Sequence, residues 1–170
     1  MKQLTDADLD AFASLDRLRA LAAYDLAHPD LIEELDAIAA HTAEQICQPI
    51  ALTNLVLDTA TLVKGSYGLD EYGGAPGAPI EWSLCVRAVR PGGDCVIPDL
   101  TLDPEEHDNP MIAMGLRSYA GTPLRTLDGH VIGAHCVLGT EAHDFTASEL
   151  AVLRTAADEV VTTLERYGRD

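Results

Sequence analysis

The chain has 170 residues, 47% of them hydrophobic, which suffices for one domain with a substantial buried core. It carries 28 Asp and Glu against 11 Lys and Arg, a formal charge of −17, so a phosphate backbone would be repelled over most of the surface and no nucleic-acid partner is expected. No apolar run is long enough to cross a bilayer and no charged-then-apolar leader opens the chain, so the expected setting is the cytoplasm with no membrane partner.

Thr5-Asp-Ala-Asp8 opens a helix, because Thr5 can cap free amides and Asp6 and Asp8 favour the positive end of the dipole. Phe12, Leu15, Leu18, Ala22 and Leu26 then recur at helical spacing until His28-Pro29 ends the helix. Asp30 starts the next, with Glu33 at the capping-box position and Leu31, Leu35, Ile38, Thr42 and Ile46 on its apolar side. After Gln48-Pro49, residues Ile50 to Leu57 and Thr59 to Lys64 are rich in β-branched and aliphatic side chains, which predicts an antiparallel hairpin turning at Asp58. The glycines and prolines from Gly65 to Pro79 predict a long surface connection without a phosphate-loop pattern.

Glu81 to Val89 reads as a short helix, Cys95 to Ile97 as a strand, and Asp103 to Gly115 as containing another short helix over the sheet. Arg117 to Arg125 and His130 to Leu138 read as two strands joined at Thr126-Leu-Asp-Gly129, where Asp-Gly is a hairpin signal. Thr146-Ala-Ser-Glu149 is a capping box, followed by an apolar stripe of Leu150, Leu153, Ala157, Val160, Val161 and Leu164. That order of elements predicts an α+β fold with a central antiparallel sheet.

Cys47, Cys85, Cys95 and Cys136 are widely spread with no Cys-x-x-Cys pair, which favours reduced core thiols over a metal or thioredoxin-type site.

Six short signatures occur in order: Ser83-Leu-Cys85, Val96-Ile-Pro-Asp99, Asp108-Asn-Pro110, Arg117-Ser-Tyr-Ala-Gly-Thr-Pro-Leu124, Asp128-Gly129 and Ile132-Gly-Ala-His-Cys-Val-Leu138. Together they resemble the second half of a GAF domain, in particular a bacterial subgroup with a Ser-Phe-Cys-like turn, a Val-Pro-Asp strand end and a Tyr-Ala-Gly-x-Pro-Leu strand. The resemblance covers residues 30–166 and leaves 1–29 as an N-terminal helical extension. It implies a PAS-related sheet with terminal helices on one face and, on the other, a ligand cavity roofed by short helices and loops.

Carried over by motif, the resemblance puts the ligand site near Trp82, Ser83, Cys85, Asp99, Asn109, Tyr119, Gly121, His135 and Cys136. Each has a plainer reading. Asp99 at a strand end suits backbone capping, Asn109 before Pro110 suits a turn, and Trp82 suits anchoring a loop. Strand alternation sets His135 and Cys136 on opposite faces, so both are not expected to touch one ligand.

The helix over the expected cavity has no cysteine for a bilin, and the Asn-Lys-x-Phe-Asp-Glu signature of cyclic-nucleotide GAF domains is absent, so no cofactor is identified. The resulting expectation is a non-catalytic sensor that binds a small molecule, pairs as a homodimer through its terminal helices, and signals to a separate protein. A GAF-fold free methionine-(R)-sulfoxide reductase and a ligand-free dimerisation scaffold are the alternatives.

Overall fold

A computed structural model describes residues 3–169. The elements are helices α1 (Asp6–Phe12), α2 (Leu15–Ala22) and α3 (Pro29–Ile46), strands β1 (Ile50–Val56), β2 (Ala60–Tyr67) and β3 (Gly77–Pro79), helix α4 (Val86–Val89), strands β4 (Cys95–Ile97), β5 (Ser118–Arg125) and β6 (Val131–Gly139), and helix α5 (Ala147–Arg166). Three 3₁₀ turns lie at Leu69–Tyr72, Leu100–Leu102 and Pro110–Met114. The strands form one antiparallel sheet in the order β3-β2-β1-β6-β5-β4.

Strand alternation divides the side chains of β1 and β6 between two interiors. Leu55 and Ile132 join Leu31, Leu35, Ile38, Val160 and Leu164 beneath α3 and α5, where Ala51, Ala120 and Val137 complete the packing. Ile50, Leu52, Val56, Ala134, Cys136 and Leu138 point the other way, toward α4 and the loops. Because both faces are covered, β1 is buried along its whole length and reads as a nearly continuous apolar run.

The expected first helix is two helices. Thr5 and Asp8 form the predicted capping box, but the helix stops at Ala13, and Ser14 adopts an extended ψ of 123° before α2 begins. That break sends Phe12 into the loop-side core and leaves Leu15 on the surface. It also aims Arg17 at the end of the sheet, where its guanidinium donates to the carbonyls of Phe12 (3.0 Å), Val131 (2.8 Å) and Val56. Burial lowers the Arg17 pKa to about 10, so it remains a cation at neutral pH. Further along, Tyr24 pairs with Gly168 and donates to Glu165 (2.8 Å), so the segment before α3 is stitched to the end of α5. The apolar stripe of α5 is therefore used inside the protomer, with Leu153, Ala157, Val160 and Leu164 buried, whereas of the stripe expected on the first helix Phe12 is buried and Leu15 and Ala22 are exposed, Leu21 packing inward instead.

Helix α3 starts two residues earlier than expected. His28, not Asp30, is the cap, its ring Nδ1 accepting from the Asp30 amide (3.2 Å), and Pro29 takes the first helical position, where its missing N–H costs nothing. The expected loop from Gly65 to Pro79 is largely ordered. Strand β2 runs on to Tyr67, and β3 returns to pair with residues 60–62. Gly65 is a packing residue rather than a loop residue, since a Cβ there would come within 2.6 Å of the Leu35 Cβ. Only the last four residues of the Glu81 to Val89 segment are helical, and the expected helix in Asp103 to Gly115 is the 3₁₀ turn at Pro110–Met114.

Among the described residues, no helix is long and apolar enough to cross a membrane.

Candidate ligand cavity

On the sheet face away from α3 and α5 the packing is incomplete. A cavity of about 230 Å³ opens between β1, β2 and β3 on one side and the segments around Trp82 and Pro110–Met114 on the other. Its floor is Ile50, Leu52, Asn54, Thr61, Val63 and Leu138, and its roof includes Leu69, Tyr72, Trp82, Met111 and Met114. No charged side chain lines it. An apolar wall with few polar groups is the usual composition of a small-molecule site.

The roof is held by Asn109. Its Oδ1 caps the 3₁₀ turn by accepting from the Met111 amide (3.0 Å), while its Nδ2 donates to the Trp82 carbonyl (3.1 Å) and to Glu106 (2.7 Å). Asn109 thus ties together the two chain segments that cover the cavity without lining it. Trp82, 42% exposed, does line it and stands at the mouth.

Directly behind the floor lies a thiol pair. The Sγ atoms of Cys85 and Cys136 are 3.7 Å apart, both buried, and Asn54 donates to Cys85 (3.6 Å). Ser83 and the Tyr119 ring pack beside them, and Gly121 is glycine because a Cβ there would meet the Tyr119 hydroxyl at 2.1 Å. The hydrogen bond from Cys136 lowers the Cys85 pKa, and the same bond together with burial pushes Cys136 up. Burial raises Cys95 to about 11. Cys47 is exposed.

Two of the residues expected at the site are elsewhere. Asp99 caps the 3₁₀ turn at Leu100–Leu102 through the Thr101 amide (3.0 Å) and is gripped by both Nε and Nη2 of Arg117, which hold its carboxyl well below the usual carboxylate range. Its side chain is committed to the backbone and to Arg117, and it is not on the cavity wall. His135 is on the helix face, as alternation requires, between Thr42 (Nε2 to Oγ1, 2.8 Å) and Thr53 (Nδ1 to Oγ1, 3.0 Å). Thr42 spends its own proton on the Ile38 carbonyl, so Nε2 donates to Thr42 and Nδ1 accepts from Thr53. Both nitrogens of the neutral ring are thereby satisfied, and burial lowers its pKa to about 4.

A family model described as a GAF domain matches residues 30–165. The chain belongs to the GAF domain family. A cyclic di-GMP phosphodiesterase of Pseudomonas aeruginosa is 32% identical over 111 residues, which are 64% of this chain but only 18% of that protein. The GAF fold itself recurs in a GAF sensor protein from Burkholderia vietnamiensis (TM-score 0.65, 19% identity, 98% of this chain and 100% of that one). It recurs in the GAF domain of an Acinetobacter phosphoenolpyruvate-protein phosphotransferase (TM-score 0.65, 14% identity, 96% of each chain). A Neisseria meningitidis free methionine-R-sulfoxide reductase solved with its substrate is similar too (TM-score 0.64, 18% identity, 97% of this chain and 94% of that one). At these identities the structural likeness establishes the fold alone.

Of the residues the motifs nominated, Trp82 alone lines the cavity of this GAF domain; Ser83, Cys85, Tyr119, Gly121 and Cys136 form the layer behind it, and Asn109 braces the roof. The motifs all lie after residue 82, whereas much of the floor comes from β1 and β2. The residue most plainly missed is Asn54. An Asn within Ile50-Ala-Leu-Thr-Asn-Leu-Val56 is a residue type depleted in strands, on the strand face that otherwise shows Ile50, Leu52 and Val56, and that contrast is the signal that marks it.

Among the described residues, no cluster of His, Cys, Asp and Glu could hold a metal ion.

Proposed function

We propose that this GAF domain is a non-catalytic sensor that binds a small molecule in the cavity between the sheet and the Trp82 and Pro110–Met114 roof, and that it signals to a separate protein through its terminal helices. The observation that carries the reading is the cavity itself. Its walls are apolar and uncharged, and it lies on the side of the sheet that loops can open and close, while α3 and α5 cover the opposite face. Bound ligand would favour one arrangement of the roof and of β1 and β2, and α3, packed on β2 through Leu35 and Gly65, would pass the change outward.

Pairing of two protomers is part of the proposal. The buried stripe of α5 leaves the outward surface of α3 and α5 as the surface for a second copy, where His41, Val152 and Thr155 line one depression and Ala37, Glu34, Glu159 and Arg166 the next. A regulatory role within a larger signalling system also suits the Pseudomonas relative, a cyclic di-GMP phosphodiesterase of which the match spans 18%.

The Cys85 and Cys136 pair favours a second reading, reduction of free methionine sulfoxide, the activity of two structural neighbours. Two facts weigh against it. Neither sulfur is on the cavity wall, and the wall offers no charged side chain to an amino acid that carries both an ammonium and a carboxylate.

Native mass spectrometry of the protein purified from its own host tests the proposal. A dimer carrying an added small mass on each protomer is the expected result. A bare protein that also shows no melting-temperature shift with any member of a panel of small neutral compounds would leave only a scaffold, because a ligand selective for the native state must stabilise it.

A further inference from the structure

Strand β1 shows Ile50, Leu52, Asn54 and Val56 to the cavity side and Ala51, Thr53 and Leu55 to the helices. Three of the four cavity-side residues are aliphatic, so the one amide stands out. Asn54 is 7% exposed and lines the cavity. Its Nδ2 is occupied by the Cys85 sulfur, but its Oδ1 has no hydrogen-bond partner in the protein. A buried carbonyl without a donor costs stability, and native proteins tolerate few of them. The β1–β2 register shifts between Thr53 and Asn54, skipping Lys64, which adjusts the strand at this residue.

The rest of the wall narrows what could supply the donor. Thr61 directs its hydroxyl to the Ala78 carbonyl (3.4 Å), and no cationic group lines the cavity. Thr61 is the other polar residue of the floor and its hydroxyl proton is already used, so a water placed on the Asn54 oxygen meets mostly aliphatic neighbours and few of the further polar partners that hold a buried water. A charged guest would give up its hydration with nothing to replace it. The volume, about 230 Å³, lies between the roughly 150 Å³ that holds benzene and the roughly 300 Å³ where drug-sized sites begin.

We propose that Asn54 determines the specificity of the cavity, its Oδ1 accepting a hydrogen bond from the single N–H or O–H donor of a neutral, otherwise apolar molecule of one or two fused rings. This rests on the sensor reading above and names the ligand class for it. A guest that offers only acceptors meets the carbonyl lone pairs and is rejected. A guest with no polar group fills the space and leaves the amide as it is.

Indole and indene have nearly the same shape and differ in the N–H donor, so calorimetric titration of the full chain with each probes Asn54 directly. Indole should bind about tenfold more tightly than indene, the margin expected for one net hydrogen bond. In the Asn54→Leu chain, with its fold checked by circular dichroism, the two should bind equally, with indene no weaker than to the parent. Asn54→Ala serves the same purpose if the leucine is not accommodated. Equal binding of the two probes to the parent, or an indole preference that survives both substitutions, would overturn the role of Asn54 while leaving the cavity reading standing. Binding of neither probe would remove the cavity reading as well. Indole-3-carboxylate binding as tightly as indole would refute the neutral ligand class.

Discussion

The two faces of the sheet are made by the same strands, yet they are finished differently. The helix face is filled by side chains such as Leu31, Leu35, Leu55, Val160 and Leu164, and its buried His135 has both ring nitrogens paired with threonine hydroxyls, although the Ser118 hydroxyl, on the same face as Ala120, has no partner. On the loop face the core stops short, leaving about 230 Å³ of space and an amide oxygen with no donor. A filled interior supplies stability, while an open one lined by an unpaired carbonyl costs some of it. On the proposed reading, the loop face binds the ligand and the helix face supplies most of the stability.

The largest test of that division is truncation on each side. Leu35→Ala removes a fully buried side chain from the closed interior and should cost about 2–5 kcal/mol, read from urea unfolding midpoints. Met111→Ala, on the half-buried cavity roof, should cost about 1 kcal/mol or less, because part of its surface faces space already empty. Equal losses would erase the distinction between the faces.

Acid should act through the closed face. The His135 pKa lies near 4 in the folded chain and near 6.5 when unfolded, so between these values the unfolded state binds more protons. Stability from this group is complete above pH 6.5 and declines as pH falls toward 4, by about 3 kcal/mol over the window. Unfolding midpoints measured across that range should fall in the parent and fall less in His135→Leu.

Smaller, and opposite in sign, are two matched substitutions by leucine at neutral pH. His135→Leu leaves the Thr53 hydroxyl without its buried partner and should destabilise by about 2 kcal/mol. Asn54→Leu removes an unpaired amide oxygen, along with the weak Nδ2 bond to Cys85, and replaces it with apolar contact, so it should stabilise by about 1 kcal/mol while abolishing donor selectivity. Melting temperatures moving in the same direction would contradict the view that His135 is a satisfied group and the Asn54 oxygen is not.

The sequence by itself determined the family, the antiparallel α+β architecture, the β5–β6 hairpin at Asp128-Gly129, the capping box before α5, and the placement of His135 and Cys136 on opposite faces. Each of these is written in local chemistry: a two-residue period, a cap three residues from its partner, a glycine in a turn with φ of 88°. The site was less legible. The capping role of Asp99 was readable at its strand end, but only the fold brings Arg117 to it and uses up the rest of its carboxylate. Gly65 has the sequence of a loop, but only the close approach of Leu35 shows why it is glycine. The break at Ser14 and the four-carbonyl setting of Arg17 depend on where strands β1 and β6 end. The resemblance implied a cavity on this face, but its size and wall belong to tertiary structure, because a void is a property of what several distant segments fail to fill. Asn54 stands between the two: its amide among aliphatic neighbours is visible in the sequence, but only the packing around it shows that one half of that amide has been left without a partner.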